Sequence, residues 1–371
     1  YLWARTIICE GPGCGAVVPL LRTNILSDRK DTGVALKIIP NSINNGIDIN
    51  LITKSKGKWI EQSNGREFDL PNWQIEGTVR RGSITCPHCG FTTPIEQVRE
   101  QLLMKKGGTS DARLTSVICF LKVIRENIQT LEKRVFQEEK KYYRLPDQHD
   151  FEGVHHAKKR LKLNISNQVE PISLVPDEEI SLNEIRRISP PLYGMTKWGD
   201  LFSDRQLLTL TSLIRYSNKI QEIIGDIEFA KVLSTCLALA IDRQADYLSS
   251  LTIWSNKGEF IAHTFGRQAI PMVWDWPECH PFADVGGNWE GAINWITLVV
   301  NELRIEIPGS GYIEKASATK TPLPTDSVNA YITDPPYYDS VPYSHLSDFF
   351  YVWLKRSLST YHPDMFTTTT V

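Results

Sequence analysis

Ala330-Tyr331-Ile332-Thr333-Asp334-Pro335-Pro336-Tyr337-Tyr338-Asp339 joins a short β-prone run to an acid, two prolines and two aromatic rings. Consecutive prolines cannot continue an ordinary helix or central strand. The pattern therefore predicts a strand that stops at Asp334 and opens into a rigid, exposed corner. An ordinary proline-rich turn closing a strand has the same pattern.

One chemistry suited to such a corner is methylation of an exocyclic amine on a nucleobase. That amine is a poor nucleophile because its lone pair is delocalised into the ring. A catalyst must hold it with hydrogen-bond acceptors while a methyl group is presented in line. The Asp334 carboxylate and the Pro335 carbonyl are candidate acceptors, with Pro335 and Pro336 limiting backbone movement. Tyr337 offers a flat face for a base taken out of the duplex.

The Asp334-Pro335-Pro336-Tyr337 run resembles the catalytic motif of amino-methylating DNA methyltransferases, the adenine-N6 and cytosine-N4 enzymes. The longer stretch from Tyr337 to Arg356, Tyr-Tyr-Asp-Ser-Val-Pro-Tyr-Ser-His-Leu-Ser-Asp-Phe-Phe-Tyr-Val-Trp-Leu-Lys-Arg, is similar to a signature of one subgroup. That subgroup is the prokaryotic zinc-ribbon adenine-specific methylases carrying the domain of unknown function 1156. Tyr193 to Leu207, Asp242 to Tyr247 and Gly266 to Asp275 resemble the same subgroup. The resemblance implies S-adenosylmethionine as methyl donor, DNA as substrate, base flipping, and a setting in restriction or phage defence alongside other defence-system proteins. It makes Asp334, Pro335, Pro336 and Tyr337 the catalytic residues. Tyr338, Tyr343 and Asp348 become candidates for the base pocket, and Asp275 is either near the cleft or a surface acid.

Composition sets the outer limits. The 371 residues carry 41 Lys and Arg against 43 Asp and Glu, a net charge of -2. The chain as a whole is thus no electrostatic magnet for DNA, and contact must come from local patches such as Arg80-Arg81, Lys105-Lys106, Lys158-Lys159-Arg160 and Arg186-Arg187. No apolar run approaches the roughly 20 residues of a membrane span, and no signal peptide is visible, so a cytoplasmic protein is expected. The chain opens on Tyr1 and not on Met, which suggests a processed or partial chain.

Seven cysteines without a secretory signal argue for metal or buried thiols in a reducing compartment. Cys86-Pro87-His88-Cys89-Gly90 has the two-residue spacing and trailing glycine of a metal knuckle. Cys9 and Cys14 are separated by a wider gap that structural sites also use. Together Cys9, Cys14, Cys86 and Cys89 predict a Cys₄ zinc ribbon whose metal is structural, since four thiolates leave no open position. Two unrelated buried thiol pairs are the plainer alternative. Cys119, Cys236 and Cys279 read as core residues, and His88 as a bystander.

Between the cysteine pairs, Ala35 to Ile39 and the alternating Ile47-Asp48-Ile49-Asn50-Leu51 predict strands. Leu114, Val117, Ile118, Leu121, Ile124, Ile128, Leu131 and Val135 recur at helical spacing and predict a long amphipathic helix from Ala112 to about Tyr143. A second helix is expected over Phe151 to Leu163. Its Lys158, Lys159, Arg160 and Lys162 either lie along a phosphate backbone or form a solvated face. Asn164 to Ile188 reads as a linker, Ser203 as a helix N-cap, and Ile220 to Ile227 and Ala230 to about Ser249 as helices. Leu346, Phe349, Phe350, Trp353 and Leu354 share one face of a last helix.

The glycine-rich cofactor turn that opens a doubly wound sheet has no convincing counterpart. The nearest candidate is Pro281-Phe282-Ala283-Asp284-Val285-Gly286-Gly287, which follows no clear strand. The cofactor-binding residues therefore stay unassigned. The expected organisation is α/β: a zinc-ribbon region at 1–105, a helical region and linker at 106–188, and at 189–371 a helical segment with the C-terminal part of an incomplete Rossmann-like methyltransferase domain. The runner-up is a catalytically idle, zinc-containing nucleic-acid-binding protein, and a cytosine-N4 or RNA methyltransferase stands behind it.

Overall fold

The short strand Leu2–Ala4, buried along its whole length, finds both of its partners more than a hundred residues away. The computed structural model describes residues 1–41, 46–68, 76–126, 135–304, 311–313, 316–317, 319–335, 337 and 340–370. It shows a mixed α/β protein in which every paired strand among the described residues lies in a small antiparallel sheet. Among the described residues the one parallel contact is an isolated bridge between Ile188 and Ile270. A doubly wound parallel sheet is not seen among these residues.

The central sheet has four strands in the order Val135–Arg144, Arg113–Glu126, Leu2–Ala4, Asp275–Pro277. Leu2 pairs with Pro277 and Trp3 with Trp276, and the two indoles stack at 6.3 Å. A five-stranded meander, Ile25–Ser27, Val34–Asn41, Gly46–Ser55, Lys58–Glu61 and Glu67–Phe68, confirms both strands expected between the cysteine pairs. Ile49 and Leu51 point into a shared core with Leu2, Leu26 and Leu36, Ile47 is buried in the separate core around the cysteines, and Asp48 faces water.

The helices are α1 (Ile95–Met104), α2 (Gln148–Ser166), α3 (Asp204–Ser217), α4 (Ile220–Ile224), α5 (Ile227–Tyr247), α6 (Trp289–Glu302) and α7 (Tyr343–Leu358). Among the described residues no helix is long and apolar enough to cross a membrane. Ser203 caps α3 as expected, in a reciprocal pair with Gln206. In α7, Leu346, Phe349 and Trp353 are buried in the largest core together with Trp198, Phe202, Leu210 and Ile241. That core also takes in Trp3 and Leu114, so it gathers residues from both ends of the chain.

Two expectations fail here. The helix predicted from Ala112 to Tyr143 is an antiparallel hairpin, Arg113–Glu126 against Val135–Arg144, with Val117 opposite Arg144 and Glu126 opposite Val135. Ile128 and Leu131 lie outside the described residues. The apolar spacing fits a helix by coincidence, but Thr115, Val117, Ile118, Val123 and Ile124 are β-branched, and Leu2–Ala4 offers an edge to pair with. The strand expected at 330–333 does not form: these residues are exposed and in no ladder, with Ile332 94% exposed. A β-prone run becomes a strand only where a neighbouring strand takes its hydrogen bonds.

Two buried arginines tie distant segments together. Arg5 donates from Nε to the Val273 carbonyl at 2.7 Å, from Nη1 to the Gly107 carbonyl, and from Nη2 to the Ser250 hydroxyl at 2.9 Å, with its guanidinium 4.8 Å from the Trp276 ring centre. Arg356 grips Glu178 through two bonds of 2.9 and 3.0 Å and the Ser173 carbonyl at 2.7 Å. It thereby fastens the chain that leaves α2 onto α7.

Replacing Arg5 by Leu strands those buried acceptors, and each unsatisfied one costs about 1–3 kcal/mol. The expected outcome is a loss of about 3 kcal/mol or more in urea unfolding, and an unchanged midpoint would refute the role. A second expectation concerns pH. The Arg144 guanidinium, at 2.6 and 2.9 Å, holds the Asp150 carboxyl well below the usual carboxylate range, helped by the Asp147 N–H and the Tyr1 hydroxyl. The depressed folded-state value means that this stability is present above the unfolded pKa of about 3.9 and is lost as pH falls below it. Wild type should exceed Asp150→Asn by about 2 kcal/mol at pH 7, the difference shrinking below about pH 4.

Candidate functional site

Both cysteine pairs sit at the turns of hairpins. Thr6–Ile8 pairs with Val17–Pro19, and the intervening loop is closed by Cys9 N–H to the Ala16 carbonyl at 2.8 Å and Cys14 N–H to the Gly11 carbonyl at 3.0 Å. Ser83–Thr85 pairs with Thr92–Thr93, and Gly90, at φ 76°, turns back so that its N–H meets the Cys86 carbonyl at 2.9 Å. Only glycine takes that left-handed turn without strain. Gly11 lets the two turns meet, since a Cβ there would stand 2.8 Å from the Phe91 Cβ and 3.0 Å from the Cys89 Sγ.

The result is one cluster in which the Sγ atoms of Cys9, Cys14, Cys86 and Cys89 all lie within 4.8 Å of one another. Cys9 to Cys89 is 3.5 Å and Cys14 to Cys86 is 3.9 Å. A tetrahedral ion at a metal–thiolate distance of about 2.3 Å needs Sγ edges of about 3.8 Å, so the cluster can hold a metal ion. Cys9, Cys14 and Cys86 are buried and Cys89 faces solvent. Burial pushes the Cys9 and Cys86 thiols up, while the Phe91 N–H pulls Cys89 down. A cation at the centre supplies the charge that buried thiolates need. The cluster is packed by Ile7, Ile84, Val98 and Leu102, the last two from α1. His88 lies in the second turn and belongs to no ligand set among the described residues.

The proline corner lies in a different environment. Asp334 and Pro335 are exposed, and Tyr337 is 78% exposed. Pro336, Tyr338 and Asp339 lie outside the described residues. The corner is fastened on its C-terminal side: Arg187 donates from Nη2 to the Ser340 carbonyl at 2.9 Å, Val341 packs on the large core, and α7 begins at Tyr343. Arg187 was read from sequence only as half of a basic pair, and nothing in its neighbourhood signals this long-range contact. Tyr343 is half exposed near the corner, whereas Asp348 is buried in α7.

The remaining candidates separate. Asp275 pairs with the Arg22 guanidinium and backbone N–H at 3.1 and 3.0 Å. Asp246 pairs with His263 at 3.0 Å, Arg243 lies over Trp295 at 4.7 Å, and Asp242 is buried. Burial raises the pKa of Asp246 and raises that of Asp242 further, where one carboxylate oxygen has no hydrogen-bond partner.

Pro281 to Gly287 connects the strand Asp275–Pro277 to α6, whose N-terminus is capped by Asn288. That strand is not legible in the sequence, being three residues long and containing a proline. The loop lines a cavity of about 760 Å³ with Arg205, Trp254, Glu278 and His280. Glu278 is held by the Ser203 hydroxyl at 2.8 Å and the Arg205 guanidinium at 2.9 Å. The volume lies within the range of small-molecule pockets.

Cys86→Ser should abolish stoichiometric metal binding and destabilise the hairpins and α1, read as metal content per chain and as faster amide exchange over residues 6–20 and 79–104. Chelation of the wild type should produce the same exchange pattern, and normal exchange in the metal-free chain would refute a structural ion.

The chain matches no family model, no curated protein and no solved structure.

Proposed function

We propose that this chain carries the catalytic corner of an S-adenosylmethionine-dependent DNA amino-methyltransferase, with adenine N6 favoured over cytosine N4. The observation that supports this most directly is the accessibility of Asp334, Pro335 and Tyr337 on a segment anchored at one end by Arg187 and α7. A base swung out of a duplex can reach such a corner, and a buried proline turn would be closed to it.

The Asp334 carboxylate and the Pro335 carbonyl accept hydrogen bonds from the exocyclic amine and turn its lone pair toward the methyl donor. S-adenosylmethionine supplies an electrophilic methyl group on a sulfonium. With that donor bound, the Asp334 carboxylate would face the positive charge that develops on the amine and would take the proton released. Tyr337 stacks on the base and fixes its plane. The ion held by Cys9, Cys14, Cys86 and Cys89 is zinc in this reading and is structural, because a Cys₄ site is closed to substrate. On this reading the protein works in the cytoplasm, as the lack of a signal peptide in the sequence leads one to expect, and the resemblance implies DNA-modification or defence proteins as its partners.

The second reading is a catalytically idle, zinc-containing nucleic-acid-binding protein. It draws on the same exposed corner and on the absence of ordered pairing over 330–333 among the described residues. Calorimetric titration with S-adenosylmethionine, with zinc counted in the same sample, separates the two. Binding directs attention to the cavity beside Pro281 to Gly287, and its absence from the complete protein would favour the idle reading. In the complete enzyme, Asp334→Ala should lower methyl transfer to DNA by more than a hundredfold, a barrier increase of about 3 kcal/mol, with zinc content unchanged. Retained activity would sink the assignment of Asp334.

A further inference from the structure

The charges of α2 are sorted along its length. Asp147, Asp150 and Glu152 stand at its N-terminal end, where Asp147 and Asp150 form a reciprocal cap and bind Arg144. From Gly153 to Ser166 there is no acid, and the segment carries His155, His156, Lys158, Lys159, Arg160 and Lys162. Leu161 is buried and Val154 partly buried against the large core, which turns His155, His156, Lys159, Arg160 and Lys162 outward, all of them exposed. Lys158 is half-buried and lies 3.8 Å from Asp204 at the start of α3. Among the described residues, Lys159, Arg160 and Lys162 have no acidic partner within ion-pair distance.

Two ordinary explanations cover only part of this. Cations at a helix C-terminus complement its dipole, but that effect fades beyond the last turn. Lys159 and Arg160 lie six or more residues before Ser166, outside it. General solubility calls for interspersed signs, and here the signs are segregated. His155, Lys159 and Lys162 follow the i, i+4, i+7 stripe of a helix, with His156 and Arg160 alongside. From His155 to Lys162 the axial rise is about 10 Å. Duplex DNA carries about three phosphates per strand over that length of its axis. The spacing and sign of the stripe therefore complement one phosphate strand.

We propose that the outward face of α2 is a phosphate-backbone contact for duplex DNA, with Lys159, Arg160 and Lys162 neutralising phosphates and the two imidazoles donating hydrogen bonds beside them. The contact is independent of base sequence: it positions the duplex and carries no recognition code. It rests on the reading of DNA as substrate, yet it is measured without turnover.

The test is fluorescence anisotropy of a labelled duplex of random sequence, titrated with the full chain at several salt concentrations. Wild type should bind with log K falling linearly in log salt. The combined variant Lys159→Gln, Arg160→Gln, Lys162→Gln should reduce that slope by about 2 to 3 and weaken binding at low salt by more than tenfold. Unchanged zinc content and melting temperature establish that it is folded; if it is not, the single variants should each reduce the slope by about 1. A control variant, Lys30→Gln, Lys56→Gln, Arg66→Gln, changes three exposed cations of the five-stranded sheet and should leave the slope near wild type. An unaltered slope in the α2 variants overturns the proposal, as does an equal loss in the control. So does absence of duplex binding by wild type, or tighter binding to single-stranded RNA or anionic vesicles than to the duplex. The methyl-transfer reading fails separately, through the cofactor titration and Asp334→Ala.

Discussion

The guanidinium of Arg5 is the tie on which the arrangement of the chain depends. It stands four residues before Cys9, between the strand that enters the central sheet and the strand that enters the first cysteine turn. Its donors reach carbonyls at Gly107, Ser250 and Val273, which follow α1, follow α5 and precede the strand Asp275–Pro277 respectively. Burying a guanidinium is costly unless its donors are satisfied, and here the acceptors are backbone groups that would otherwise be orphaned. The cluster around the cysteines and the large helical core are thus joined by directional bonds, in addition to the packing of Trp276 against Trp3 and Arg5.

Legibility followed the range of the interactions involved. The cysteine cluster could be read because its geometry is local: Cys86 and Cys89 share one turn, Cys9 and Cys14 another, and only their meeting is a tertiary fact. The helices α3, α5 and α7 were readable for a similar reason, their apolar stripes and the Ser203 cap being encoded within a few turns. The hairpin from Arg113 to Arg144 was not. Its apolar positions satisfy a helical period, and the partner that decides for a strand is Leu2–Ala4, more than a hundred residues away. The strand Asp275–Pro277 shows the same dependence in a more severe form, since three residues hold no period at all.

The corner at Asp334 shows the opposite error. Ala330 to Thr333 has the composition of a strand and forms none, because composition supplies propensity and a partner supplies the hydrogen bonds. What the sequence conveyed correctly is the exposure of Asp334, Pro335 and Tyr337. It held no trace of the Arg187 bond to Ser340, in which a side chain donates to a backbone carbonyl 153 positions away.

The cysteine cluster and the corner share no residues, and this has a chemical consequence. Four thiolates close the coordination sphere of a tetrahedral ion, so a metal there cannot polarise a substrate or activate a water. Any chemistry at Asp334 must then come from acceptors held in place, and the worth of a held acceptor depends on how little it moves when charge develops. Pro335 is stiffened by its own ring, but Asp334 has no rigid strand behind it. The fastening available lies beyond the motif, in the Arg187 bond, the packing of partly buried Val341 on the large core and the seating of α7 through Phe349 and Trp353. Any precision at the corner is therefore borrowed from the helical core through its C-terminal side, because on the N-terminal side no ladder holds residues 330–333.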